Sequence, residues 1–356
     1  MTALLRMIGS QADAIDRIGG LDLAGPAEVL AQAHRILLVG TGTSLHAAEL
    51  GAMMLTQAGR DACAYPAATW ARWGAGPRAT DVVCVITHTA ETAYAARARA
   101  DALAEGVPVV SITGAGRGWP EAIETVAPDE SHTYTVSYTT VLAVLARLAH
   151  ALGWPDGSPE QLAVVTAQVR GACEDPDPDI AAVAVPARSL AIVGCGPWAV
   201  TAREGALKIR EAARMLAEGF DTDRLLHGGA VPLTAADGLV VLEPAADPDG
   251  LTGAVGAAAR AENIPVAELA APPGLAPLLA QIPPAGGLVL DLIGNNGGRI
   301  ETELAPNQLF HLVHHHVFLL ALEAQPLPFL QVLRSNVRGH DDDRVLEVDR
   351  VAKPVS

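Results

Sequence analysis

The sequence predicts two α/β domains, each a three-layer α/β/α sandwich around a mainly parallel sheet. Three observations carry this reading. Short apolar runs recur, each followed by a turn of small residues and then a helical period. The unit comes twice, as LLVGTGTS at 37–44 and AIVGCGPW at 191–198, which favours a duplicated domain. The chain has 356 residues, too many for one small core and enough for two domains of roughly 150 residues.

In chain order, residues 1–18 form an amphipathic helix, without the basic start, apolar stretch and cleavage site of a secretory leader. Residues 34–40 form a strand ending in glycine. A helix follows from TGTS. Strands are expected at 81–86 and 107–113, with a weaker one at 123–126, and residues 135–152 form a long apolar helix. The Pro- and Asp-rich run at 171–179 stops the pattern. The pattern restarts with a strand at 189–194, a long helix from Gly196, and strands at 238–244, 264–270 and 287–294. The expected domains are 1–170 (helix plus first sandwich) and 180–325, followed by a tail at 326–356.

Half of the residues are apolar but few are aromatic, so Ala, Val, Leu and Ile must build the core. The net charge of -16 disfavours nonspecific nucleic acid binding or an anionic membrane surface. An anionic small molecule remains open, because helix-start amides supply a local positive field. Cys63, Cys84, Cys173 and Cys195 form no CxxC pair. Cys84 and Cys195, in or beside apolar strands, fit packing better than redox chemistry. No run reaches transmembrane length without polar interruption, so the cytoplasm is the expected location.

Gly40-Thr41-Gly42-Thr43-Ser44 places hydroxyls at a helix start after a tight turn. That suits a phosphate cradle, and equally an ordinary helix cap. A dinucleotide motif is absent, because residue 45 is leucine where GxGxxG needs glycine, and no GK[ST] marks a Walker loop. A second loop, Thr87-His88-Thr89-Ala90-Glu91-Thr92, directly follows a strand. The two loops would meet at the carboxyl ends of neighbouring strands. Glu91 carries the wrong charge to touch phosphate and fits a capping role. A third hydroxyl-rich run, Ser131 to Thr135, also precedes a helix.

Glu204, Lys208 and Glu211 are spaced four and three apart, on one helix face. They read as a salt-bridged surface stripe or as a site. His227 before two glycines suits a loop that places an imidazole in a cleft. Lys353, near the chain end, reads as a surface lysine or as one carried into a site. His311, His314, His315 and His316 suggest metal, but no acidic motif completes a zinc pattern, and helix packing or an interface fits better. No cofactor or metal is expected.

The chain resembles the double-SIS (sugar isomerase) proteins. Those include the isomerase half of glucosamine-6-phosphate synthase and the AgaS-like isomerases and deaminases. TGTS resembles the family's first phosphosugar loop, and THTAET its SQSGET loop, with His88 for glutamine and Ala90 for glycine. EGALKIREAARMLAEGFDTDRLLHGG resembles the EGALKLKE helix and the following KHG segment. RVAKPVS resembles the LAKSVTVE ending. The resemblance implies phosphate binding by Thr43, Ser44, Thr87, His88, Thr89 and Thr92. It implies proton transfer by Glu211, ring opening by His227, charge stabilisation by Lys208 and carbonyl capture by Lys353. It also implies a homodimer in which His227 crosses to the partner's site. Val136 departs from the family's lysine, and Thr2 stands where a glutaminase domain would carry its nucleophilic cysteine, so glutamine-driven synthesis is not expected.

The expected function is isomerisation or deamination of an amino-sugar 6-phosphate. A deglycase on a phosphorylated sugar–amine adduct and a noncatalytic phosphosugar sensor are the alternatives.

Overall fold

The computed structural model describes residues 3–282, apart from residues 75, 132, 175–182, 184–185 and 272–273. The expected strand at 287–294, the histidines at 311–316, Lys353 and the tail at 326–356 lie outside the described residues.

The amino terminus forms two helices rather than one, α1 (Ala3–Gly9) and α2 (Gln11–Gly19). The break falls at Ser10, whose hydroxyl donates to the Met7 carbonyl at 2.8 Å. Such local hydroxyl bonds compete with the helical ladder. Ile15 and Ile18 of α2 join the main core, and α3 (Ala24–Ala31) leads into the first sheet.

That sheet contains β1 (Arg35–Gly40), β2 (Ala62–Pro66), β3 (Asp81–Ile86), β4 (Val109–Thr113) and β5 (Ala122–Glu124). All pairings are parallel, in the order β2-β1-β3-β4-β5. Leu38 lies opposite Ala64 on one side and Cys84 on the other. The helices are α4 (Thr43–Gln57), α5 (Ala67–Trp73), α6 (Ala93–Ala104), α7 (Val136–Ala151) and α8 (Pro159–Glu174). Strand alternation divides the core. Ile36, Leu38, Cys84 and Ile112 pack on the α4 and α7 side, whereas Leu37, Val39, Val83 and Val85 pack with residues of α5 and α6. Both faces are covered, which is why the strands read as continuous apolar runs.

A second sheet contains β6 (Leu190–Gly194), β7 (Ala217–Asp221), β8 (Gly238–Leu242) and β9 (Val266–Leu269). It is parallel, in the order β7-β6-β8-β9. This repeats the order of the first four strands of the other sheet. On one face Leu190, Ile192 and Val240 pack with Trp198, Ala202 and Ala206 of α9 (Pro197–Ala213). On the other, Val193 and Val241 pack with Leu225 and with Val255 of α11 (Leu251–Ala261). The short α10 (Thr222–Arg224) and a wound turn, Leu225–Gly229, lie between β7 and β8.

The two glycine turns match in geometry. Gly42 before α4 has φ 57° and ψ -126°, and Gly196 before α9 has φ 59° and ψ -122°. These are backbone conformations that glycine adopts without steric cost.

Two strands escape a periodicity reading. β2 is half-buried and ends in a proline, and β7 carries Glu218 and Asp221; both sit at sheet edges. Cys195 is also corrected. It lies just beyond β6 in the turn and is half-buried, whereas Cys84 is buried in β3, where desolvation pushes its thiol up to about 12.

Gly219 in β7 lets α9 pass against the strand. A Cβ there would come within 2.4 Å of the Ala202 backbone. Gly219→Ala should therefore destabilise the protein by about 1–3 kcal/mol, the usual range for overpacking. Urea unfolding with an unchanged m-value checks this.

Candidate functional site

The strand order reverses between β1 and β3, so their following loops diverge to opposite faces and leave a crevice. The loop after β1 carries Thr43 and Ser44 into the first turn of α4. The loop after β3 carries residues 87–92 to the start of α6, where Thr92 occupies the cap position without a side-chain cap bond. Thr87 is buried and its hydroxyl donates to the Thr92 hydroxyl at 3.4 Å. The Thr89 hydroxyl accepts the Glu91 amide at 3.2 Å, and the Glu91 side chain is exposed. Ala90 has φ 58°, a left-handed conformation that costs an L-residue about 1–2 kcal/mol. The 12-residue α6 thus presents its amino-terminal field beside three hydroxyls, which is chemistry suited to an anion.

Helix α9 brings acid–base groups to the neighbouring α4. Glu204 and Lys208 are not a solvated stripe: each side chain is 2% exposed. Lys208 Nζ lies 3.4 Å from Glu204 Oε1 and 2.7 Å from Glu211 Oε2. Glu204 in turn accepts the Thr43 hydroxyl at 3.0 Å and contacts His46 Nδ1 at 2.6 Å. Thr43 therefore spends its hydroxyl proton on Glu204.

The two carboxylates part company. Burial opposes ionisation of both. Lys208, His46 and Thr43 nevertheless hold Glu204 below the usual carboxylate range. Glu211 ends above it, because burial, with Glu204's charge, outweighs Lys208. Lys208 stays charged: burial pulls it down, but Glu204 and Glu211 raise it further. Their environments thus diverge, leaving Glu204 the more readily ionised and Glu211 the more ready to hold a proton.

Against the same crevice lies the expected phosphate-binding residue His88, with neighbours that the sequence left unassigned. His88 packs on Gly114, where a Cβ would fall 2.7 Å from the ring. Its Nε2 is 3.8 Å from Asp129 Oδ1, and its ring meets Tyr134 edge-on at 5.8 Å. Burial, with Arg117 adding to it, pushes His88 down to about 4. Burial pushes Asp129 up to about 6, against hydrogen bonds from Thr135 and Ser137 and the charge of Lys208. His46 carried a signal, as it falls one turn after Thr43. Asp129 and Arg117 had none, since loop contacts alone bring them here.

His227 is not brought to this cluster. Its side chain is 77% exposed, and its Nδ1 contacts the Asp223 carbonyl at 2.9 Å and Asp223 Oδ1 at 3.1 Å. The corresponding crevice of the second sheet is acidic: after burial, Asp247, Asp221 and Asp249 raise the Cys195 thiol. Carboxylates there repel a phosphate. Among the described residues no group of three His, Cys, Asp or Glu side chains could hold a metal ion, and no helix is long and apolar enough to cross a membrane.

Parallel three-layer packing with an anion-suited crevice at the switch point defines a class of small-molecule-binding α/β proteins. Residues 29–151 match the family model of the SIS domain. The glutamine–fructose-6-phosphate aminotransferase (isomerizing) of Pyrococcus horikoshii is 32% identical over 249 residues, 63% of this chain and 41% of the relative. The chain thus spans about two fifths of the length of the first curated relatives it matches. Two solved structures share the fold. Tagatose-6-phosphate ketose/aldose isomerase from Escherichia coli has TM-score 0.70 and 18% identity, covering 83% of this chain and 93% of that one. Glucosamine-6-phosphate deaminase from Thermotoga maritima has TM-score 0.67 and 14% identity, covering 83% and 95%.

Lys208→Met should cost about 3–5 kcal/mol, because it strands two buried carboxylates. Adding Glu204→Gln should recover part of the loss, as chemical denaturation of both variants would show. Asp129 gives a pH test. Its folded pKa of about 6 lies above its ordinary 3.8, so its neutral form favours folding at low pH and that advantage fades as pH rises through 6. Asp129→Asn should therefore gain about 1–3 kcal/mol over wild type at pH 7.5 and nothing at pH 4.

Proposed function

We propose that the protein is an aldose–ketose isomerase or deaminase acting on an amino-sugar 6-phosphate. One observation carries the reading: Glu211 is buried beside a charged Lys208 and more ready than an ordinary carboxylate to hold a proton. The names of the relatives support the substrate class.

The hydroxyls of Thr87, Thr89 and Thr92, with Ser44, hold the phosphate at the start of α6, assisted by His88. Thr43 braces Glu204 and so fixes Lys208. Glu211 removes the proton from the second sugar carbon and returns it to the first, as a general base and then a general acid. Lys208 faces the negative charge that develops on the oxygen of the enediol or enolamine. With an amine on the second carbon, the shift yields a ketimine there. Water adds to its carbon, the carbon–nitrogen bond breaks, and ammonia leaves a ketose phosphate.

Further parts of the reading rest on sequence resemblance and on the repeat. The second sheet is taken as a second SIS domain within 180–325, supported by the shared strand order and the matching glycine turns. Residues 326–356 are taken as a tail that delivers Lys353 to the carbonyl. The functional unit is taken as a homodimer in the cytoplasm, with His227 opening the sugar ring in the partner's site. Its exposure supports this, as does the apolar surface around it. Leu226 is 50% and Val231 85% exposed, beside a cavity of about 360 Å³ lined by Leu225, Ala230, Leu233 and Leu251.

Ammonia and ketose phosphate should both form from glucosamine 6-phosphate or a close epimer. Glu211→Gln should lower turnover by at least ~10³-fold, at the upper part of the range for acid–base groups, while binding stays within about threefold. Ketose without ammonia would narrow the activity to isomerisation. Equal loss of binding and turnover would remove Glu211 from its role. Binding of glucosamine 6-phosphate and its epimers without either product would leave a sensor or a deglycase.

A further inference from the structure

His88 and its neighbours do more than fill the crevice. The His88 side chain is only 11% exposed and that of Asp129 fully buried. Neither ring nitrogen of His88, nor Asp129 Oδ1, nor Arg117 Nε has a hydrogen-bond partner among the described residues. Buried polar groups are rarely left so, because desolvation goes uncompensated. At 3.8 Å the imidazole and carboxylate are too far apart for a hydrogen bond, yet close enough to form an ion pair after a small shift.

The charges around His88 come from every side. Arg117 approaches from the loop after β4 and Asp129 from the loop before α7. Tyr134 stands edge-on, and the charges of Lys208 and Glu211 on α9 reach Tyr134, with Lys208 also reaching Asp129. Glu91, on the same loop as His88, turns to solvent. Without an anion, burial and Arg117 keep the imidazole neutral. A dianionic ester on the hydroxyls of residues 87–92 would reverse that balance. It would offset Arg117 and place negative charge on one side of His88, with Asp129 on the other.

We propose that His88 enters the ligand complex as an imidazolium, taking up one proton from solution as a phosphate ester binds, with Asp129 as its fixed counter-charge. The inference rests on the phosphosugar reading and adds to it a positioning group, Asp129, and a proton linkage. A neutral amide at position 88 holds an anion without that linkage. The sign follows: binding that consumes a proton weakens as pH rises wherever free His88 is neutral and Asp129 already ionised, that is, above pH 6.

Glucose 6-phosphate is the probe, since its ester is a dianion above pH 7.5. Calorimetric titration of the full chain at pH 8, in two buffers of different ionisation heat, should show uptake of about one proton per site, and affinity should fall about tenfold per pH unit up to pH 8.5. His88→Gln should bind with uptake near zero and a flat pH profile, and Asp129→Asn should lower the uptake. If His88→Gln does not fold, nitrogen-15 NMR of wild-type imidazoles decides: one ring should change from neutral to cationic on saturation. Binding without proton uptake in wild type, or uptake that survives His88→Gln, overturns the inference and leaves the phosphosugar reading standing. Absence of binding by both glucose 6-phosphate and fructose 6-phosphate overturns the reading beneath it.

Discussion

The buried ammonium of Lys208 is the interaction on which the rest of the site depends. A lysine at this depth would lose its charge unless carboxylates faced it. Glu204 and Glu211 do so from the same helix. Glu204 also reaches across to Thr43 and His46 of α4. The cation therefore orders its own helix and ties the helix of the second sheet to the first turn after β1. Mutual dependence of this kind is costly to break and gives each group one position.

The two sheets share a strand order and a glycine turn but not a chemistry. In the first, hydroxyls and a helix start converge at the switch point. In the second, the charges of Asp247, Asp221 and Asp249 reach Cys195. The same backbone plan thus carries anion-suited hydroxyls at one crevice and like charge that opposes an anion at the other. Function lives in the side chains placed on the plan rather than in the plan itself.

Desolvation sets the acid–base character of the crevice. It lifts Glu211 and Asp129 and lowers His88, while ion pairing holds Glu204 ionised. A carboxyl ready to hold a proton, a fixed charge and a neutral imidazole thus lie close together without any unusual residue type. Burial and the partners each group finds separate them, which is how ordinary carboxylates acquire different protonation at one pH.

The sequence by itself determined the strand–turn–helix order of both halves. Fully buried parallel strands such as β1, β3, β6 and β8 must be apolar on both faces, and so stand out. It also placed Thr43 and Thr92 at helix starts and Thr87 directly after a strand, and put Glu204, Lys208 and Glu211 on one face, because helical spacing is local geometry. Local pattern did not reveal the edge strands β2 and β7, which face solvent and carry polar or proline residues. Nor did it decide whether the Glu204 face was a surface stripe or an interior network. Only the packing of α9 against α4 made it interior, through burial that the residues' own chemistry disfavours. His46, Asp129, Arg117 and Gly114 joined the site by contacts between distant loops. Such contacts follow from tertiary packing, which a local reading of the chain does not contain.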